Sequence, residues 1–284
     1  EVRAFTAEVK QLLNLMIHSL YSNRDIFLRE LVANSADAID KARFLSLTVP
    51  EAAADWEIRV EPDKKRGVLK ISDNGVGMTR DELVSDIGTI AKSGTAAFLK
   101  GLKDKGGEGA PELIGQFGVG FYSVFMVADK VTLCTKKAAS PEPAARWESS
   151  GEGEYTLSED QKKEQGTEIS IHLKPECKEY LEEWKIREII KKYSDFIEHP
   201  IKVPVPKDGK DGSKGTELST VNSQKALWLR KPNEVTDDEY ASFYGHLAHF
   251  DTEPLAHIHF SAEGTTEFKA LIFIPSKAPF DLFY

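Results

Sequence analysis

Four short stretches hold residues that could do chemistry. In FLRELVANSADAID, Phe27 to Asp40, Glu30, Asn34 and Asp37 recur at spacings of four and three. At about 100° per residue they form a narrow polar stripe beside an apolar arc of Phe27, Leu28, Leu31, Val32, Ala38, Ile39 and Ala42. Long Lys and Glu side chains normally cover the wet face of such a helix. A short amide between two acids at a core boundary points instead to a lined cavity, with a solvated face as the alternative from this stretch alone. In ISDNGVGM, Ile71 to Met78, an acid followed by Gly-x-Gly can put the Asp73 carboxylate at a strand end where Gly75 and Gly77 admit a flat ligand. Asp73 could accept a hydrogen bond from an exocyclic amine, as on adenine, and Met78 could pack on a ring face. The same residues would also make a tight turn after a strand. In GQFGVGFYS, Gly115, Gly118 and Gly120 lead into an apolar helix, whose free amides would attract phosphate. This spacing matches neither the Walker A pattern nor the strand-bound dinucleotide fingerprint. Thr167, opening the strand GTEISI, could complete the contacts to an adenine directly or through water, although Thr is common at strand starts.

Periodicity predicts the elements that must position these groups. Helical spacing runs from about Thr6 to Leu20 and from Asn23, a candidate cap, to about Leu47. WEIRVEPD and GVLKISD alternate apolar and polar residues around a charged turn, which predicts an antiparallel hairpin. A helix starts at Thr79 and gives way to a long Gly-rich stretch of the kind that forms lids or links. Beyond it, VGFYSVFMVADK reads as a short buried helix, followed by strands near Val131–Lys136, Ala145–Ser150 and Thr167–Leu173. A helix from about Glu182 to Phe196 and the strand PIKVPV complete this part. PKDGKDGSKGTE reads as a flexible charged connector. The predicted organisation is thus an N-terminal domain over 1–205, a linker over 206–218, and the beginning of a further domain over 219–284. That last part carries a helix around Asp237–Leu247 and strands near Ala256–Ala262 and Glu267–Ile274. Helices and antiparallel-rich strands come in separate runs, so the fold class is α+β.

Bulk properties exclude several classes. The 284 residues are 40% hydrophobic and 29% charged, as in ordinary soluble proteins, and the net charge of -9 argues against a nucleic-acid partner. Cys134 and Cys177 lie far apart without metal-ligand spacing, so neither a disulfide framework nor a zinc site is expected and a reducing compartment is the simpler reading. The apolar runs FYSVFMVA and ALIFI fall well short of the roughly 20 residues of a membrane helix, so no membrane partner is expected. A start at Glu1 without Met and a stop amid APFDLFY lead us to expect a piece of a longer protein.

In this order, E-x-x-x-N-x-x-D on a helix, D-x-G-x-G, G-x-x-G-x-G and a late G-T resemble the ATP-binding fold shared by gyrase B subunits, MutL mismatch-repair proteins, sensor histidine kinases and heat shock protein 90 chaperones. Longer runs narrow this. LLNLMIHSLYSNRDIFLRELVANSADAIDK, ISDNGVGM, IGTIAKSGT, LIGQFGVGFYS, WESSGEGEYT and ALWLRKP together resemble the heat shock protein 90 family, in particular its bacterial-type members, over essentially the whole chain. The resemblance implies a Bergerat-type (GHKL) fold, a two-layer sandwich of helices on a mostly antiparallel sheet, followed by the first part of an α/β middle domain. It also implies an ATP-dependent chaperone that hydrolyses ATP to ADP and phosphate.

Roles follow from the resemblance residue by residue. Asn34 would bind Mg²⁺ through its side-chain oxygen, as suits a hard ion, and Glu30 would act as general base on the attacking water. Asp37 would support the site through water or an indirect contact. Asp73 would read the adenine amine, with Gly77 and Thr167 assisting and Met78 packing on the base. Main-chain amides of Gly115, Gln116, Phe117, Gly118, Val119, Gly120 and Phe121 would hold the phosphates, close to Lys92 and Ser93 of a lid over about 86–115. Nucleotide would close that lid and favour a clamped dimer. The implied partners are unfolded or partly folded client proteins and, in the full-length protein, a second copy; the implied location is the cytoplasm and the implied context a stress response. The family's middle-domain arginine, which stabilises charge on the transferred phosphate, follows the point where this sequence stops, so slow hydrolysis is expected.

Two other functions could use the same pocket. An enzyme acting on nucleic acid would want a basic face, and a sensor kinase would need a phospho-accepting histidine helix ahead of the pocket; the sequence offers neither. Asp86 would tolerate ribose hydroxyls and repel phosphate, so it stays outside the core site. Trp228 and Arg230 read as packing residues. His246, His249, His257 and His259 lack a Cys partner and do not read as a metal site. The aromatics of FDLFY would face other parts of the protein or a client.

Overall fold

A computed structural model describes residues 23–89, 114, 120–208, 214–248, 253–262 and 268–277. The expected helix over 6–20, Lys92, Ser93, Gly115 to Val119, His249 and the closing FDLFY lie outside the described residues. The chain divides into two compact units, Glu1–Asn222 and Ser223–Tyr284.

The first unit opens with helix α1, Ile26–Ser46, and of the arc expected to be apolar Phe27, Leu28, Leu31, Val32, Ile39 and Ala42 are buried, whereas Ala38 is only partly buried and Ala33 and Ala36 are buried beside them. Phe27 meets Tyr180 edge to face with ring centroids 5.0 Å apart. The sequence reading puts the helix cap at Asn23, whereas the structure puts Asp25 there. Asn23 instead makes an Asx turn, its side-chain oxygen accepting from the Asp25 N–H at 2.9 Å, and its amide donates to the Tyr193 hydroxyl.

Strands β1 (Ile58–Asp63) and β2 (Val68–Asp73) form the expected hairpin, followed by α2 (Arg80–Asp86) and a 3-10 segment at Gly120–Met126. Then come β3 (Ala128–Lys136), β4 (Ala144–Ser149), β5 (Thr156–Asp160), β6 (Gly166–Leu173), α3 (Glu183–Tyr193), β7 (Ile201–Asp208) and β8 (Lys214–Thr220). All eight strands join one sheet in the order β5-β4-β3-β6-β2-β1-β7-β8. Every pairing is antiparallel except β1 with β7, where Ile58 is level with Ile201. Helices against this mostly antiparallel sheet make the α+β, two-layer class expected.

Register explains where the core ends. Val60, Ile71, Ile169, Leu133, Trp147 and Leu157 lie level across six strands and face the core, one continuous apolar row. Two residues further along the same face the row turns polar: Ile58 is level with Asp73, and Thr167 is level with Thr135. Alternation puts Lys70, Ser170, Thr132 and Glu148 on the other face.

β5 and β8 are absent from the sequence reading. β5 places only Leu157 against the core, and as an edge strand it has no second neighbour to demand alternation. β8 falls largely in the stretch read as a linker, yet its backbone pairs with β7 from Lys202↔Thr220 to Asp208↔Lys214. The compact units accordingly divide at Asn222/Ser223. Pro204 and Pro206 are tolerated in β7 because its pairing with β1 is confined to Ile201 and Lys202.

In the second unit, α4 (Asp237–Ala248) and the hairpin of β9 (Pro254–Ala262) and β10 (Phe268–Pro275) form a small cluster. Tyr240 stacks on His257 at 3.9 Å between centroids, and its hydroxyl meets His259 Nδ1 at 2.6 Å. Trp228 packs near Phe243, and Arg230 donates to Glu239 at 2.7 Å, both structural contacts. No helix of the described residues is long and apolar enough to cross a membrane.

Candidate functional site

The loop after β2, Asp73 to Thr79, is strapped from both sides. Its Val76 N–H donates to the Ala38 carbonyl of α1 at 2.9 Å, and its Val76 carbonyl accepts from Ala138 at 2.8 Å. The Met78 N–H donates to Thr135 Oγ1 at 2.9 Å. Thr79 then starts α2 with a capping box, its hydroxyl accepting from the Glu82 N–H while the Glu82 carboxylate accepts from Thr79. At Gly77 the backbone is left-handed, with φ of 57°, and a Cβ would stand 2.0 Å from the Lys136 carbonyl oxygen. Only glycine fits there.

Asp73 lies buried at the foot of this loop. Its Oδ1 accepts from the Gly75 N–H at 3.0 Å and the Thr167 N–H at 3.3 Å, and the Ser35 side chain of α1 also bonds to it. Burial nevertheless wins: lost hydration pushes the carboxyl up to about 6, against these hydrogen bonds and nearby Lys162, which pull it down. The Thr167 hydroxyl is 3.1 Å from that of Thr135, so the polar row is internally bonded. Met78 packs, partly buried, against the core.

From α1, Asn34 is exposed and Ser35, the next residue, reaches Asp73. Asp37 is buried where the stripe reading places it at an edge, and its Oδ1 accepts from the Ile114 N–H at 2.7 Å. One turn on, burial depresses the Lys41 ammonium pKa, while the charges of Asp37 and Asp86 oppose that shift. At the other end of the stripe, Arg29 Nε donates to Glu30 Oε1 at 3.0 Å. The remaining oxygen of Glu30 abuts Gly120, where a Cβ would lie 2.2 Å from Oε2. Phe121, next in the chain, is buried edge to face with Trp147.

Glu30, Gly120 and Phe121 are thus joined at one end of α1, and Asp73, Gly77, Met78 and Thr167 cluster beside its middle. Asn34 and Asp37 lie between on the same helix. Sequence reasoning missed Ser35, Thr135 and Lys41. Lys41 carried a signal in its four-residue spacing from Asp37. Thr135 carried one as a polar residue two positions after Leu133, on the buried face of its strand. A concavity of about 1340 Å³ lies on the other face of the sheet. Its charges largely neutralise one another, with Lys70 at 3.1 Å from Glu168 and Lys130 at 3.3 Å from Glu148.

Comparison with known proteins now defines the class. The family described as histidine kinase-, DNA gyrase B-, and HSP90-like ATPase matches residues 21–179, and the family described as Hsp90 protein matches residues 206–284. The chain belongs to the histidine kinase-, DNA gyrase B-, and HSP90-like ATPase family, within its heat shock protein 90 branch. It is 53% identical over 298 residues to the chaperone protein HtpG of Geobacter sulfurreducens, covering 99% of this chain and 46% of that protein. It is 50% identical over 288 residues to the HtpG of Pasteurella multocida, covering 100% and 46%. Against the HtpG of Escherichia coli it is 50% identical over 286 residues, covering 99% and 46%. The chain spans about half the length of these curated relatives.

Proposed function

We propose that this chain is the nucleotide-binding part of an ATP-dependent molecular chaperone that assists protein folding. The observation that carries the reading is the buried Asp73, bonded to Ser35 directly beside Asn34 and set at the polar end of an apolar sheet face. Asp73 accepts from the adenine amine, Gly77 lets the ring approach, and Met78 and Thr167 bound the base. Glu30 takes the proton of the attacking water. Asp37 steadies α1 and the backbone at Ile114, while amides from Gly115 to Phe121, with Lys92 and Ser93 nearby, hold the phosphates.

The described residues suit Mg²⁺ carried by a nucleotide. No group of three or more His, Cys, Asp or Glu side chains among them is placed to hold a metal ion, while the exposed Asn34 has an amide oxygen to offer. When bound, Mg²⁺ would neutralise phosphate charge, with Asn34 and phosphate oxygens as ligands.

By its resemblance to the heat shock protein 90 family, which takes a charge-stabilising arginine from its middle domain, hydrolysis by this chain alone is expected to be slow. In the whole protein, nucleotide closes a lid and clamps a homodimer around partly folded clients in the cytoplasm. Residues 223–284 begin the middle domain.

Calorimetric titration of ADP with and without Mg²⁺ tests the reading. Tighter binding with Mg²⁺, lost in Asp73→Asn, is expected, and Glu30→Ala should bind normally without turnover. Absence of ADP binding to the unaltered chain would overturn it.

A further inference from the structure

The first unit ends at Asn222, a buried amide with three hydrogen bonds. Its Oδ1 accepts from the Ile201 N–H at 2.8 Å, and its Nδ2 donates to the carbonyls of Ile197 at 2.8 Å and His199 at 3.0 Å. The neighbouring Val221 N–H donates to the Ile201 carbonyl at 2.9 Å. Residues 197–201 are therefore fixed to the end of the unit, and two branches leave them. In one, buried His199 places Nε2 at 3.0 Å from Asp40 Oδ1 on α1, three residues beyond Asp37. In the other, the Pro200 carbonyl accepts from Ile58 at 2.9 Å, and the Glu57 N–H donates to Asn74 Oδ1 at 3.0 Å, next to Asp73.

We propose that Asn222 and His199 are positioning residues that set helix α1 against the Asp73 loop, so that the end of the first unit is coupled to both walls of the nucleotide site. This rests on the nucleotide reading above. The branches reach different groups. The His199 ring bonds to α1, which carries Glu30, Asn34 and Asp37, the side assigned to phosphate and metal. The strand branch from Ile201 leads to Asp73, the side assigned to the base. Asn222 holds the root of both.

Calorimetry on the chain with adenosine and with Mg·ADP separates this from a merely structural role. His199→Ala is expected to weaken Mg·ADP about fivefold or more and leave adenosine within about twofold. His199→Gln, whose amide can still donate to Asp40, should restore Mg·ADP. Asn222→Ala should weaken both ligands. Equal effects of His199→Ala on the two ligands, no effect on Mg·ADP, or no restoration by Gln would overturn the proposal. Should His199→Ala not fold, hydrogen exchange on the unaltered chain decides. Coupling is reciprocal, so Mg·ADP must slow exchange at the Ile201 and Val221 amides, and unchanged rates there overturn the proposal. An unaltered chain that binds neither ligand defeats the nucleotide reading itself, a different result from variants that bind like their parent.

Discussion

Asp73→Asn should make the protein more stable and disable its site. The carboxyl pKa rises from 3.8 to about 6 on folding, chiefly through lost hydration. The folded state therefore holds this proton more tightly than the unfolded chain does. Stability from this group is greatest below pH 3.8 and is lost as pH climbs through 6. A gap of about 2 pKa units, at about 1.4 kcal/mol per unit, puts the penalty near 3 kcal/mol at pH 7. It roughly halves by pH 5 and is small by pH 4. Asparagine keeps an oxygen for the Gly75 and Thr167 amides and carries no charge, and the Ser35 hydroxyl can turn from donor to acceptor.

Urea unfolding without nucleotide, at pH 7 and pH 4, followed by hydrogen exchange of β2 and β6 peptides, measures the change. We expect a gain of up to about 3 kcal/mol at pH 7 that nearly vanishes at pH 4. The same variant should lose ADP affinity by about ten- to hundredfold or more, since a hydrogen bond to a charged group contributes about 1.5–3 kcal/mol. A variant less stable than its parent at pH 7, or one with the same difference at both pH values, would refute the assignment of Asp73 as a buried charge.

Gly120→Ala puts a Cβ 2.2 Å from Glu30 Oε2; single-turnover assays should show hydrolysis falling by about tenfold or more, given the usual worth of a general base, and calorimetry should show a smaller loss of ADP affinity, since the Gly120 amide belongs to the run assigned to the phosphates. Gly77→Ala must force φ away from 57° and clear the Lys136 carbonyl, and urea titration should register a loss of at least about 1–3 kcal/mol. Thr79→Ala removes the capping box at a local cost of about 0.5–2 kcal/mol, read as faster exchange at the Leu83 and Ile87 amides with little change in the global midpoint.

The elements legible in the sequence are those whose periodicity is enforced by burial on one side. Helix α1 and the β1–β2 hairpin read well because Leu28, Val32 and Ile39, or Ile58, Val60 and Ile71, must all face one core. β5 and β8 sit at the sheet's two edges and carry few buried side chains, so their pairing leaves almost no mark on residue choice. The same division holds in the site. Asp73 and Gly77 stand out because the loop geometry restricts residue type at both positions. Ser35 and Thr135 became visible only once register set Thr135 level with Thr167 and α1 brought Ser35 to Asp73. No local pattern encodes a contact between residues so far apart in the chain.

That contrast bears on why Asp73 is an acid at all. A carboxylate held by two backbone amides and a hydroxyl is well satisfied, yet its pKa still rises, so the contacts within the protein fall short of the hydration it lost. For folding alone, asparagine would serve the same two amides at lower cost. Few native proteins can spare about 3 kcal/mol from a net stability of roughly 5–15 kcal/mol without return. A ligand donor reaching the carboxylate would supply the missing stabilisation, and because that stabilisation exists only in the complex, it appears as affinity and selectivity for a molecule with an amine at that point. The polar row at the end of the apolar sheet face is a place where the fold gives up stability, and a ligand bound there would recover it.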